Sequence, residues 1–264
     1  MNTPTPTLAD GPPTLQRQGP VATIRLNRPA SRNSLHDVDL HTLLAQFAEV
    51  DADASVRVLL VTARTEGQRR PVFCAGYHVG GFDGDAHDPR LFERVPEALA
   101  ALRPVTVCAL GGSVYGGATD LVLACDLRVA LAGTEWRMPA NALGLHYYPS
   151  GLRRYVAAFG PAAAKRAFLT ARALPIERLD ALGLFETVAE ASGFDAAVQS
   201  LVDDVAALAP LSTQATKRSL DELACGVYDE PAMREREALT TGSADFAEGR
   251  AAFAQRRAAR FTGR

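Results

Sequence analysis

Two short glycine-containing segments of this chain stand where backbone amides could bind an anionic oxygen. At each of residues 73–77 and 115–118, a predicted buried strand runs into glycine and a predicted helix starts soon after. Glycine lets the backbone turn sharply and leaves room for a ligand, and amides just past such a turn have no backbone partner. Two such N–H groups converging on one oxygen would form an oxyanion hole. The sequence leaves open the alternative of two ordinary, unrelated glycine turns.

Side chains that could move protons lie beside and after the second segment. Asp120 follows Gly117 by three residues, near the start of a short predicted helix, and His146 and Tyr147 come later, together with Tyr148. An imidazole titrates near neutral pH, which suits proton transfer. Each residue also has a simpler interpretation. Asp120 could stabilise the helix dipole, His146 could make a structural hydrogen bond, and the two tyrosines could be aromatic residues at a pocket rim.

Composition excludes several classes of function. The chain has 264 residues, 47% of them hydrophobic and 22% charged, with 28 basic and 30 acidic residues. These values exclude global disorder, and the net charge of −2 argues against nucleic-acid binding through a large basic field. The sequence also lacks the motifs of dinucleotide-binding, P-loop and α/β-hydrolase proteins.

Cysteine spacing and the amino-terminal segment bear on metal sites and location. The four cysteines are widely separated and no H-E-x-x-H motif occurs, so no metal site is expected. Residues 1–20 are rich in Pro and Thr without an apolar run, and no stretch of 18 uncharged apolar residues exists. We therefore expect no secretory signal, no membrane span and a cytoplasmic location.

The order of predicted elements indicates an α/β core followed by a helical region. Residues 1–19 are predicted to form a flexible arm, and Ser34 with Asp37 resembles a capping box before the first helix. A long loop is predicted from Arg64 to about Pro89, and from Gly151 the pattern is almost wholly helical. A composition shift at 195–205 suggests a core over 20–200 and a helical lobe over 201–264. The predicted strands are 21–26, 56–63, 104–110 and 126–131, and the predicted short helices are 90–102 and 118–125.

Several segments in order resemble the crotonase superfamily, also called the enoyl-CoA hydratase/isomerase family. They are Leu26-Asn27-Arg28-Pro29 with Arg32-Asn33-Ser34-Leu35, Phe73-Cys74-Ala75-Gly76, Tyr115-Gly116-Gly117-Ala118-Thr119-Asp120-Leu121 with Ala124-Cys125-Asp126, Pro175-Ile176 with Ala181-Leu182-Gly183-Leu184, and Glu248-Gly249-Arg250-Ala251-Ala252-Phe253. The resemblance implies an α/β crotonase fold, with a spiral core of ββα repeats and a helical C-terminal oligomerisation lobe. It also implies an acyl-CoA substrate and trimers, often paired into hexamers.

The resemblance assigns roles to individual residues. The amides of Tyr77 and Gly117 would bind the thioester oxygen and stabilise an enolate, and Asp120 matches the first hydratase carboxylate. The second carboxylate would follow Pro139, where this chain has Ala140, so the pair of carboxylates that family hydratases use for hydration is incomplete here. The implied contacts to CoA, which belongs to the substrate and is not a separate cofactor, are Arg28, Arg32, Ala75, Phe253 and Arg256, the last two often serving a neighbouring subunit.

A narrower resemblance leaves the reaction open. The run Met-Pro-x-Asn-x-Leu-Gly-x-x-Tyr, ending at Tyr147, resembles the methylmalonyl-CoA decarboxylase branch, although that branch has histidine where this chain has Tyr77. Tyr147 or His146 could then return a proton to an enolate. The alternatives are an isomerisation, an atypical hydration that relies on Asp120 alone, and a non-catalytic homologue that binds acyl-CoA. RNA binding is not expected, because acidic residues are interleaved with the arginines.

Overall fold

The protein folds into two β-sheets wrapped by helices, as the predicted crotonase fold requires. The computed structural model describes residues 10–78, 88 and 90–264. The strands are β1 Thr14–Gln18, β2 Val21–Leu26, β3 Val58–Ala63, β4 Val72–Cys74, β5 Val105–Leu110, β6 Ser113–Tyr115, β7 Leu127–Leu131, β8 Glu135–Arg137, β9 Leu174–Pro175 and β10 Thr187–Ala189. The helices are α1 Asp37–Ala52, α2 Leu91–Ala100, α3 Ala118–Leu123, α4 Pro149–Thr170, α5 Ile176–Asp180, α6 Phe194–Ala206, α7 Pro210–Ala224, α8 Glu230–Thr241 and α9 Ala244–Gln255.

The larger sheet forms the rigid centre of the fold. Its strand order is β1-β2-β3-β5-β7-β10, and every neighbouring pair is parallel except β1 with β2. All six residues of β5 are buried, which explains why every one of them except Thr106 is apolar. Val198 and Val202 of α6 cover one face of this sheet and pack in a cluster with Val58, Val107 and Val129.

The smaller sheet brings together the ends of three strands that matter for the site. Its order is β4-β6-β8-β9, and β4, β6 and β8 run parallel. Parallel neighbours place their carboxyl ends at the same sheet edge. The residues after β4, β6 and β8 include Gly76, Gly117 and Ala140, respectively, so this topology collects all three at one edge.

Two helices complete the surroundings of that edge. Helix α3 begins at Ala118, directly after Gly117, and all six of its residues are buried. Helix α4 is interrupted at Gly160, whose backbone has φ 70° and ψ 163°, just before Pro161. Proline removes a helical hydrogen-bond donor and disfavours helical geometry at the preceding residue, so the interruption is placed by sequence.

The structure corrects the predicted amino-terminal arm and the first helix start. Thr14–Gln18 is not a loose arm but an edge strand paired with Val21–Leu26, and residues 1–9 lie outside the described part of the chain. The capping box predicted for Ser34 and Asp37 is wrong, because Leu35 is held in a bridge to Tyr77. The helix starts one residue after His36, whose amide donates to the Asp39 carboxylate at 2.9 Å.

Further along the chain the boundaries also shift. The predicted loop after Arg64 contains strand β4, and residues 79–87 and 89 of that loop lie outside the described residues. The region after Gly151 is less purely helical than predicted, because β9 and β10 each join a sheet. The predicted boundary between residues 200 and 201 falls inside α6, which packs on the core sheet. Within the described ranges, no helix has the length and apolar character needed to span a bilayer.

Candidate active site

The two glycine bends predicted from sequence lie against each other. Gly76 has φ 95° and Gly116 has φ 58°, both in the left-handed region that favours glycine. A Cβ atom added to Gly76 would lie 2.9 Å from the Tyr115 carbonyl oxygen and 3.5 Å from the Gly117 nitrogen. The absence of a side chain at Gly76 is therefore what allows the bends to approach so closely.

In the second bend, hydrogen bonds to the Gly116 carbonyl fix the orientation of the peptide group that carries the Gly117 N–H. The Gly116 carbonyl oxygen accepts hydrogen bonds from the Thr119 backbone nitrogen at 3.0 Å and the Thr119 hydroxyl at 2.6 Å. Carbonyl and N–H of a trans peptide point in opposite directions. The Gly117 N–H is therefore directed away from Thr119, and no hydrogen bond from it occurs within residues 10–78, 88 and 90–264.

The first bend is held in a comparable way. The Gly76 carbonyl accepts from the Leu35 amide at 2.9 Å, so the Tyr77 N–H of the same peptide points to the side opposite Leu35. The Ala75 amide donates to the Arg32 carbonyl at 2.9 Å, which fixes the approach to the bend. The Tyr77 phenol donates to Asp37 Oδ1 at 2.5 Å, and burial together with Asp37 raises the pKa of the phenol, which keeps it protonated.

Asp120 is fully buried and its carboxylate is occupied on both oxygens. Arg154 Nε donates to Oδ1 at 2.8 Å and Arg154 Nη2 donates to Oδ2 at 2.6 Å, while the Tyr148 hydroxyl donates to Oδ2 at 2.5 Å. The side chain of Asp120 is 0% exposed and that of Arg154 is 14% exposed. A buried carboxylate requires such partners, because an unpaired charge costs several kcal/mol away from water. The arrangement fixes Asp120 as an acceptor of three hydrogen bonds.

Tyr147 and Tyr148 form a stacked pair behind this carboxylate. Their ring centroids are 4.2 Å apart, and the Tyr147 hydroxyl donates to the Tyr148 hydroxyl at 3.0 Å. Burial, then the charge of Asp120, raises the pKa of Tyr148, and burial also raises that of Tyr147, so both phenols remain neutral donors. Gly151 makes room for them: a Cβ there would lie 2.4 Å from the Tyr147 ring and 2.8 Å from the Tyr148 ring.

Phe92 of α2 covers the second bend. A Cβ on Gly117 would lie 2.5 Å from the Phe92 ring, and the same ring lies 5.8 Å from the Tyr77 ring and 6.3 Å from the Tyr148 ring, measured between centroids. Phe92 thus borders the bends on one side and the tyrosine pair on the other. Glu93, the next residue, accepts a hydrogen bond from the Ser150 hydroxyl at 3.2 Å, which ties α2 to the start of α4.

The remaining proton-transfer candidates are placed differently. Ala140 is buried in a short 3-10 turn after β8. His146 is exposed and lines a cavity of about 300 Å³ on the side of α4, where it meets Tyr147, Lys165 and Phe168. Tyr147 therefore lies both beside the Asp120 cluster and on the lining of the cavity, whereas His146 lies on the lining of the cavity.

The residues predicted to bind CoA do not form one cluster. Arg28 uses Nε to bind both oxygens of buried Asp39, at 3.0 and 2.9 Å, and Arg32 is exposed at the end of a 3-10 turn. Phe253 is 89% exposed and Arg256 is exposed at the end of α9. An exposed aromatic ring on the C-terminal helix fits the expected contact to a neighbouring subunit, which stays a prediction. In the described part of the chain, no three potential metal ligands lie together.

Sequence reasoning missed three residues of the site. Arg154 is one of many arginines and lies 34 positions from Asp120, so its pairing becomes visible only in the fold. Phe92 and Thr119 resemble ordinary core residues in sequence. Asp120 is the one charged residue in the run Ala118–Leu123, and a charge in such a run is the sequence signal that could have prompted a search for a cationic partner.

Comparisons with known proteins show which family model, curated proteins and solved structures this chain is similar to. The family model for enoyl-CoA hydratase/isomerase matches residues 16–264. The human enoyl-CoA hydratase domain-containing protein 2, mitochondrial, is 31% identical over 258 residues, covering 92% of this chain and 86% of that protein. A solved enoyl-CoA hydratase/carnithine racemase from Magnetospirillum magneticum superposes with a TM-score of 0.88 at 25% identity, covering 97% of each chain. A Bacillus anthracis enoyl-CoA hydratase, at 21% identity and a TM-score of 0.85, covers 96% of this chain and 100% of its own and supports the fold alone.

Proposed function

The chain belongs to the enoyl-CoA hydratase/isomerase family, and from that premise we propose that it binds an acyl-CoA thioester and stabilises its enolate. The amides of Tyr77 and Gly117 donate to the thioester oxygen as negative charge develops on it. Donors aimed in advance at such an oxygen cost no reorganisation during the reaction, which makes them effective.

The observation that carries the proposal is the approach of the two bends. Only 3.5 Å would separate a Cβ on Gly76 from the Gly117 nitrogen, and each peptide carbonyl that precedes a proposed donor is already hydrogen-bonded. The proposed donors therefore come from adjacent and fixed peptide groups. The alternative left open by the sequence, two unrelated glycine turns, does not account for this close approach.

The state of the carboxylates favours a reaction other than hydration by a carboxylate pair. Ala140 has no ionisable group, and Asp120 is held by Arg154 and Tyr148. The absence of a second carboxylate favours decarboxylation as a second candidate reaction. In that reaction the bond between the α-carbon and the substrate carboxylate breaks, carbon dioxide leaves, and the electron pair of the broken bond forms the enolate. One proton then returns to the α-carbon, with no carboxylate needed to activate water. Isomerisation, atypical hydration relying on Asp120 alone, and silent binding of acyl-CoA are the remaining alternatives.

Substrate and assembly complete the proposal. The CoA moiety is part of the substrate, so no separate cofactor is invoked. Arg28 and Arg32 would meet CoA phosphates from the first loop, since a guanidinium can bind phosphate with two hydrogen bonds. Phe253 and Arg256 would contact CoA in a neighbouring subunit of a homotrimer or hexamer. A cytoplasmic location remains a prediction from sequence.

Two parallel assays test the reaction. Purified protein is incubated with crotonyl-CoA and, separately, with methylmalonyl-CoA, and hydration and carbon dioxide release are followed. Butyryl-CoA binding is measured by calorimetry in the same preparation. Carbon dioxide release supports enolate chemistry by decarboxylation, and conversion of crotonyl-CoA supports hydration. Binding of butyryl-CoA without conversion of either substrate favours the silent homologue, and absence of binding contradicts the proposal.

A further inference from the structure

A directed chain of hydrogen bonds ends on the peptide group that carries the Gly117 amide. The Trp136 indole Nε1 donates to the Tyr155 hydroxyl at 3.0 Å, and that hydroxyl donates to the Thr119 hydroxyl at 2.5 Å. The Thr119 hydroxyl in turn donates to the Gly116 carbonyl at 2.6 Å. Trp136, Tyr155 and Thr119 are each 0% exposed, so water does not compete for these bonds.

The direction of this chain follows from its two ends. An indole N–H can only donate and a carbonyl oxygen can only accept. With both ends fixed, each intervening hydroxyl accepts from one side and donates toward Gly116. The Thr119 hydroxyl is therefore committed to the bend and is not free to rotate toward another acceptor.

The peptide between Gly116 and Gly117 needs such a restraint. Glycine on both sides gives this peptide more rotational freedom than any other residue pair would. The Thr119 backbone amide supplies one hydrogen bond to its carbonyl, at 3.0 Å, and the hydroxyl supplies the second. Two donors from one residue hold the carbonyl more narrowly than one donor does, and the N–H at the opposite edge turns with it.

We propose that Thr119 is a positioning residue that aims the Gly117 amide at the thioester oxygen, with Tyr155 and Trp136 keeping its hydroxyl in place. The inference rests on the proposed function. It predicts that losing the hydroxyl impairs the transition state more than the binding of ground-state ligand, because the oxygen gains its charge only as the enolate forms.

The test compares two variants that differ in the hydroxyl. Thr119→Val keeps the branched shape and removes the hydroxyl, and Thr119→Ser keeps the hydroxyl and removes a methyl group. We expect Thr119→Val to lower kcat by about 10- to 100-fold while the dissociation constant of butyryl-CoA stays within threefold of wild type. Thr119→Ser should retain most of kcat. The substrate is whichever of crotonyl-CoA or methylmalonyl-CoA the wild type converts.

The outcomes separate this inference from the proposed function. If the wild type converts neither substrate, whether or not it binds butyryl-CoA, the proposed stabilisation of an enolate fails and the inference falls with it. If the wild type is active and Thr119→Val leaves kcat unchanged, or lowers kcat and binding equally, only the inference is overturned. If Thr119→Val does not fold, Tyr155→Phe provides the test, because it removes the hydroxyl that donates to the Thr119 hydroxyl. A lower kcat with retained butyryl-CoA binding supports the inference, and an unchanged kcat overturns it.

Discussion

Replacing Gly117 by proline removes one proposed oxyanion donor while respecting the backbone at that position. Gly117 has φ −58°, close to the angle that a proline ring imposes, and it stands just before the first helical residue of α3. Losing one of two oxyanion donors typically lowers kcat by about 10²- to 10³-fold, or about 3–4 kcal/mol of transition-state stabilisation. We expect Gly117→Pro to show a loss of this size, measured as kcat on the substrate that the wild type converts.

The matched control is Gly117→Ala. Both variants add a Cβ that meets the Phe92 ring at 2.5 Å, but alanine keeps the N–H. The Phe92 side chain lies at the edge of the site, and Phe92→Ala in both backgrounds removes the ring that the added Cβ would meet. We expect the kcat of the alanine variant to stay within about tenfold of the wild-type value, because this variant retains both proposed amide donors. Equal kcat for the proline and alanine variants in the Phe92→Ala background would refute the role of this amide.

Three further predictions concern the stability and burial of particular residues. Arg154→Met should lower the free energy of unfolding, measured in urea, by about 3 kcal/mol, because it leaves the buried Asp120 carboxylate without its cationic partner. Adding Asp120→Asn should recover part of this loss, and an unchanged free energy of unfolding in Arg154→Met would contradict the ion pair. In the native protein only the Cys225 thiol should react with a thiol reagent, because the other three cysteines are buried, and all four thiols should react after denaturation. Rapid reaction of a second thiol in the native protein would contradict this burial. The hydrogen bonds from Arg257 hold the pKa of Glu248 at about 2, below its usual 4.5, so their stabilising effect is present above about pH 4.5 and disappears as the pH falls toward 2. The stability of Glu248→Gln should accordingly converge with that of wild type over this interval, and a constant difference would contradict the shift.

Local sequence signals predicted those parts of the fold that depend on nearby residues. Strand Val21–Leu26 has the predicted bounds, because its alternation and the following Asn-Arg-Pro are both local features. The crotonase fold and the family were identified correctly from segments that occur in a fixed order. The glycine bends were found because glycine marks a backbone requirement directly. Their mutual approach depends on the pairing of β4 with β6, which no single segment encodes.

The errors arose where tertiary contacts override local pattern. Thr14–Gln18 forms a strand because the edge of β2 is available to it, although its surroundings are rich in proline. The first helix starts at Asp37 because Leu35 is held by Tyr77, far along the chain. The match of Asp120 to the first hydratase carboxylate comes from the resemblance and stays a prediction. The full burial of Asp120 and its pairing with Arg154 depend on how α3 and α4 pack.

The central claim is that two backbone amides donate to the thioester oxygen, and the vibration of that carbonyl tests it most directly. Butyryl-CoA labelled with ¹³C at the thioester carbonyl would be bound to wild type, Gly117→Ala and Gly117→Pro, and isotope-edited infrared difference spectra recorded. We expect the carbonyl stretch to move to lower frequency on binding wild type and the alanine variant, because hydrogen bonds weaken the C=O bond, and to move less on binding the proline variant. A stretch at or above its frequency in water when bound to wild type would contradict the account.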